Sequence, residues 1–307
     1  MAEPSAPGTS PFRSGPVWRR ITESLLSEEC DIDLETFRSP GAAINSRLAS
    51  WDPGHRSHMF FKHLLLDTAA GEAPEVLECF RRIGNTGLGA PLAVEVGGLR
   101  IDLDYLLAAQ EAAFLIEGGI RPRSIVEVGG GFGRTCHALM RNLRPERYAI
   151  VDLPETLALS RAYLRRALEP GEFARVDFIP NESAHEAPDA DLWLNIDSFA
   201  EMEPDVVHAY LSMVDRRGRF FYSRNPVCKY STQMIGAAEA SPESVSAAMA
   251  SGVCRQLADI FSESALAPMR SAAEDAYRPS PAWAVRCTRP SAPYRYYQHL
   301  LYGHRDA

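Results

Sequence analysis

Apolar and polar positions change their period along this chain, and the changes mark its elements. Leu103 to Glu117, LDYLLAAQEAAFLIE, is apolar at helical spacing and predicts a strong helix. From Ser124 the pattern changes to short apolar runs separated by helical ones. Strands are predicted at Ser124 to Val128, Tyr148 to Asp152, Arg175 to Ile179, Ala190 to Asp197 and Gly218 to Ser223. Between them, Thr135 to Leu143 reads as a helix stopped by Pro145, Thr156 to Leu168 as a second, and the run opened by Glu203-Pro204 as a third. Strands alternating with helices predict an α/β fold with a doubly wound, mostly parallel sheet, whose ligands sit beyond the carboxyl ends of the strands.

Outside this region the pattern is weaker. Residues 1–16 are rich in Pro, Ser and Gly and read as a disordered tail. Residues 17–120 carry short helical patterns broken at Ser39-Pro40-Gly41 and Asp52-Pro53-Gly54, with a turn at Asn85 to Gly89, and read as a mostly helical N-terminal cap before a domain at 121–307. Glu243 to Phe261 is predicted helical and Trp283 to Thr288 a late strand. Tyr294 to Leu301, YRYYQHLL, is an aromatic-rich tail, suited to packing on the protein's own sheet more than to covering a substrate mouth.

The chemistry concentrates where the first strand ends. Glu127, Gly129, Gly131 and Gly133 form ExGxGxG, a loop without Cβ atoms in which the backbone turns sharply and a nucleoside lies close. A dinucleotide fingerprint counted from Gly129 requires glycine at position 134, which is Arg. The spacing fits S-adenosylmethionine better. Asp152, ending the next strand, is placed to accept hydrogen bonds from both ribose hydroxyls; its alternative is a cap on the helix that follows. Glu127 either meets the cofactor's amino acid end through water or anchors the loop.

Composition narrows the class. The 307 residues are 46% hydrophobic and 23% charged, which excludes wholesale disorder, and the net charge of −8 with no Lys/Arg run argues against nucleic acid. Six scattered cysteines form no CxxC pair, so neither a zinc site nor a disulfide framework is expected, and no metal is assigned. With no apolar leader and no membrane-length stretch, a cytoplasmic protein is expected.

Several blocks together resemble a family: RIGN at 82–85, VEVGGLRIDLDYLLAAQEAAFL, VEVGGGFGRT, YAIVDLPETLALSRAYL, LNIDSFAEM and FFYSRN. They are similar to the bacterial sugar O-methyltransferases, a branch of the class I S-adenosylmethionine-dependent methyltransferases, over roughly Arg82 to Asn225. The resemblance implies a Rossmann-like seven-stranded sheet, S-adenosylmethionine as donor and a hydroxyl of a sugar or glycosylated small molecule as acceptor. It matches Gly129, Gly131 and Gly133 to the cofactor loop and Asp152 to the ribose, sets Leu153 beside the adenine and places Asn181 at its edge. Ala200 stands where relatives often have His.

Methyl transfer to an alcohol needs a base at the end of the fourth strand, and Asp197 and Glu201 are the candidates, each with a capping role as the alternative. Arg224 and Asn225, after the fifth strand, are candidates for binding a polyol. His55, His58 and His63 are weaker candidates in the cap. The expected partner is a small polar substrate, with a homo-oligomer compatible. N-methylation of an amino sugar and a non-catalytic cofactor-binding partner subunit are the competing functions.

Overall fold

The computed structural model describes residues 13–16, 18–19, 33–38, 58–235 and 241–305. Residues 1–12, most of the helical pattern from Val17, the breaks at 39–41 and 52–54, and His55 lie outside them.

Helices α1 (His58–Ala70) and α2 (Pro74–Ile83) lead into a hairpin of β1 (Ala93–Val96) and β2 (Leu99–Asp102), then α3 (Leu103–Glu117). The hairpin was not foreseen; Gly97 and Gly98 both take positive φ, 56° and 76°, as a two-residue turn between twisted strands requires. Asp102 then caps α3, its side chain accepting from the backbone N–H of Tyr105.

The remaining strands form one sheet. β3 (Ser124–Val128), α4 (Arg134–Asn142), β4 (Arg147–Asp152), α5 (Pro154–Ala167) and β5 (Val176–Pro180) make one half. β6 (Ala190–Ile196), α6 (Pro204–Arg217), β7 (Gly218–Pro226), α7 (Pro242–Ala250), α8 (Glu263–Ala276), β8 (Trp283–Pro290) and β9 (Tyr297–His304) make the other. Strand order is β5-β4-β3-β6-β7-β9-β8. Every pair from β5 to β7 is parallel, and β9 is antiparallel to both its neighbours. The seven-stranded, mostly parallel α/β sheet is therefore as expected.

Alternation along the strands sends their side chains to two cores. Ile125, Ile150, Leu194 and Tyr222 face α2 to α5, whereas Val126, Val151, Trp193 and Phe221 face α6 and α8. Burial on both faces explains why the strands read as continuous apolar runs. After β5 the chain crosses to the far side of β3, so the strand order reverses between β3 and β6. Their C-terminal ends open a crevice there.

One expectation is corrected. The helix expected over Glu243 to Phe261 stops at Ala250, because Gly252 takes φ 71° with its backbone pressed on Ala200, where a Cβ would lie 3.1 Å from the carbonyl oxygen. A helix not expected, α8, follows instead. The aromatic tail does pack on the protein's own sheet: from Tyr297 it enters β9, inserted between β7 and β8, while Tyr294 and Tyr296 precede that strand. Among the described residues no helix is long and apolar enough to cross a membrane.

Candidate cofactor and acceptor site

The crevice holds an open cavity. Loops after four parallel strands line it. Glu127, Gly129, Gly131, Asp152, Leu153, Asn181, Asp197 and Glu201, all singled out in the sequence, meet on its wall. Gly133, Arg224 and Asn225 do not.

The glycine loop has three left-handed residues, Gly129, Gly131 and Gly133, with φ of 76°, 56° and 96°. They serve different purposes. A Cβ on Gly129 would fall 2.0 Å from the Ser198 hydroxyl, and one on Gly133 would fall 2.8 Å from Leu164, so both permit close packing of the protein on itself. A Cβ on Gly131 would meet nothing within 4 Å. Space is kept open there, at the cavity.

Asp152 sits beside that space. Its two carboxylate oxygens accept from the backbone N–H groups of Gly131 (2.9 Å) and Leu153 (2.7 Å), which fixes the side chain against the loop. The capping alternative does not hold, since α5 has Leu153 at its N-cap and no side-chain cap bond. Burial pushes the Asp152 carboxyl up to about 7, against the opposing pull of backbone N–H groups from Leu153, Gly131 and Gly130. Thr156, one turn into α5, is buried and lines the same cavity, and its hydroxyl has no hydrogen-bond partner among the described residues. An open cradle, a fixed carboxylate and an orphan hydroxyl together fit a ribose-bearing ligand.

Glu127 is buried and accepts from the Tyr148 hydroxyl at 2.8 Å. Burial raises it to about 8, opposed by that hydrogen bond and by Arg134. Arg134, the residue that breaks the dinucleotide spacing, donates to the Asp104 carbonyl (2.8 Å) and to Glu111 (3.1 Å), so it anchors α4 to α3. Glu111 was overlooked; a lone carboxylate inside the apolar run of α3 was its signal. Asp104 and Thr135 also line the cavity.

On the opposite wall Asp197 has φ 66°, a strained value for a residue with a Cβ, and its side chain makes no capping bond to the turn Ser198–Ala200. Its Oδ1 accepts from the Tyr297 hydroxyl at 2.6 Å. Asn195, on β6, braces the crevice floor by donating to the Val128 carbonyl (2.9 Å) and the Ser198 hydroxyl (2.6 Å). Arg224 is 2% exposed, donates twice to the Ser291 hydroxyl and stands 3.6 Å from Glu111. Asn225 is buried on Asn195 and Ser223. Neither is presented to the cavity.

The histidines lie elsewhere. His137 is fully buried with Nδ1 2.6 Å from the Tyr105 hydroxyl, and burial, with the nearby Arg141 and Arg38, lowers it to about 3. His58 and His63 lie on α1 and do not line the cavity. Arg13, Ser14, Gly15 and Trp18, from the stretch around the expected disordered tail, also line the cavity, and Arg13 pairs with Glu203 and, at 2.9 Å, Asp205.

Resemblance to solved structures is distant. The structure of the mitomycin 7-O-methyltransferase MmcR matches with 16% identity and a TM-score of 0.45, over 66% of this chain and 54% of that one. Cofactor-bound Rv0187 from MTB matches with 16% identity and a TM-score of 0.42, over 79% and 95%. The methyltransferase domain of bacterial CtHen1-C matches with 11% identity and a TM-score of 0.45, over 66% and 99%. The chain thus spans about half the length of MmcR. No family model and no curated protein matches.

Proposed function

We propose that this protein is an S-adenosylmethionine-dependent methyltransferase acting on a hydroxyl of a sugar or glycosylated small molecule. The observation that carries the cofactor is Asp152, held by two backbone N–H groups beside the open face of Gly131, where its remaining lone pairs suit a ribose diol. Arg134 in place of a third glycine disfavours a pyrophosphate. The acceptor class rests on the resemblance of the VDLPETLALS and SFAEM blocks.

When bound, S-adenosylmethionine supplies a methyl carbon whose bond to sulfur breaks with the electron pair left on sulfur. The chain has three tasks. Gly129 to Gly133 and Asp152 hold the nucleoside, with Leu153 and Asn181 on the adenine side of the wall. Thr156 offers a hydroxyl to the same ligand. Asp197, across the cavity, takes the proton from the acceptor hydroxyl as its oxygen forms the new bond to carbon, with Glu201 four residues on as the second carboxylate on that wall.

Calorimetry with S-adenosylmethionine and NAD, followed by labelled methyl transfer to a set of methyl glycosides, tests this reading. Binding of S-adenosylmethionine alone and label on a glycoside oxygen are expected. Binding of NAD alone would sink it.

A further inference from the structure

We infer that Tyr297 is a positioning residue for the acceptor chemistry, aiming the Asp197 carboxylate across the cavity by holding one of its oxygens. This rests on the assignment of Asp197 as the base in the proposed function. The two residues are 100 positions apart and come from different elements, Asp197 from the end of β6 and Tyr297 from the start of β9. The fold must close through its last strand before they meet.

Three observations give the contact a purpose beyond packing. Asp197 sits at φ 66° in a turn that its side chain does not cap, so the strain has no local return. The Tyr297 hydroxyl occupies Oδ1 at 2.6 Å, and among the described residues no hydrogen bond reaches Oδ2. One oxygen is held and the other is left for an acceptor. The tyrosine is itself fixed: it is 4% exposed, and the Arg224 guanidinium lies 5.1 Å from its ring centre while being held by Ser291 and Glu111. Arg224 thus supports the cavity wall from behind.

Burial, followed by the nearby Asp197 charge, raises Tyr297 well above its usual range, so the phenol stays protonated and remains a donor whenever Asp197 is ionised. The titratable and charged groups facing Asp197 are Tyr297 and Tyr296 from the β9 region, Tyr277 after α8, Arg224 on β7 behind the Tyr297 ring, and Glu201 on its own turn. No other described β9 group donates to it.

The test uses the full chain, with methyl transfer to methyl glycosides followed across pH. Tyr297→Phe is expected to lower transfer by roughly tenfold or more, within the usual weight of an acid–base group, and to move the acidic limb of the pH–rate profile. S-adenosylmethionine affinity should stay unchanged. Replacement of Tyr297 by 3-fluorotyrosine keeps the shape, strengthens the donor and should move that limb the opposite way; it decides the matter if Tyr297→Phe does not fold. A pH profile that moves in neither protein overturns the inference, as does wild-type transfer by Tyr297→Phe. Full transfer by Asp197→Asn removes the base assignment as well, while failure of S-adenosylmethionine to bind the unaltered protein instead removes the cofactor reading.

Discussion

Asp152 concentrates the claim about the cofactor in one side chain. Its ionised carboxylate can accept two ribose hydroxyls and its protonated form accepts fewer, so affinity should be highest above its raised value of about 7 and fall as pH drops through it. Ribose hydroxyls favour the ionised form, so binding near pH 6.5 should release protons. Calorimetry in two buffers of different ionisation enthalpy reads that release directly; an enthalpy independent of buffer would contradict it. Asp152→Ala should lower cofactor affinity by about 10- to 100-fold, the weight of a charge-assisted hydrogen bond. The melting temperature should change little by comparison. Arg38 poses the opposite case, a buried charge without a place on the cavity wall. It is bound to Asp102 at 2.6 Å and Asp104 at 3.3 Å, so Arg38→Met strands two buried carboxylates and should cost roughly 3–5 kcal/mol in urea unfolding.

At the scale of elements, the glycine loop separates binding from packing. Gly131→Ala places a methyl group in open space at the cavity and should weaken cofactor binding more than it destabilises the fold. Gly133→Ala drives a methyl group into Leu164 at φ 96° and should cost about 1–3 kcal/mol of stability by the strain alone. Comparing Kd and Tm for the two variants checks the division, and equal effects on both would refute it. This loop was legible because β3 and α4 have clear, different periods on either side of it. The purpose of each glycine was not, since Ser198 and Leu164 lie far away in sequence. β9 was illegible for a related reason: YRYYQHLL is aromatic without a clear period of two, and only its seat between β7 and β8, buried on both faces, makes it a strand. The helix predicted through Phe261 failed because a period cannot show that Gly252 must press against Ala200.

For the molecule as a whole, topology assembles the site. Reversal of strand order between β3 and β6 opens the crevice, and the loops after β3, β4, β5 and β6 bring Asp152 and Asp197 to facing walls. Alternating strands and helices made that arrangement readable in advance, and eight of the eleven residues assigned to cofactor, base or polyol in the sequence line the cavity, while none of the described cap histidines does. Arg224 and Asn225 were misplaced because β7 runs to Pro226, three residues beyond the strand expected from its apolar run, and keeps both inside the sheet. Arg13, Ser14 and Gly15 fall in a Pro/Ser/Gly-rich stretch that predicts no place on the cavity wall, yet all three line it. Arg13→Ala, which removes the pairing with Glu203 and Asp205, should speed cofactor release in stopped-flow, and an unchanged release rate would contradict a role there. The central claim is the identity of the cofactor, and titration of S-adenosylmethionine into the wild-type protein and Asp152→Ala, with NAD as the competing ligand, tests it most directly. Saturable binding of S-adenosylmethionine that weakens in the variant, with no heat from NAD, is the predicted result; NAD binding with no S-adenosylmethionine binding would contradict it.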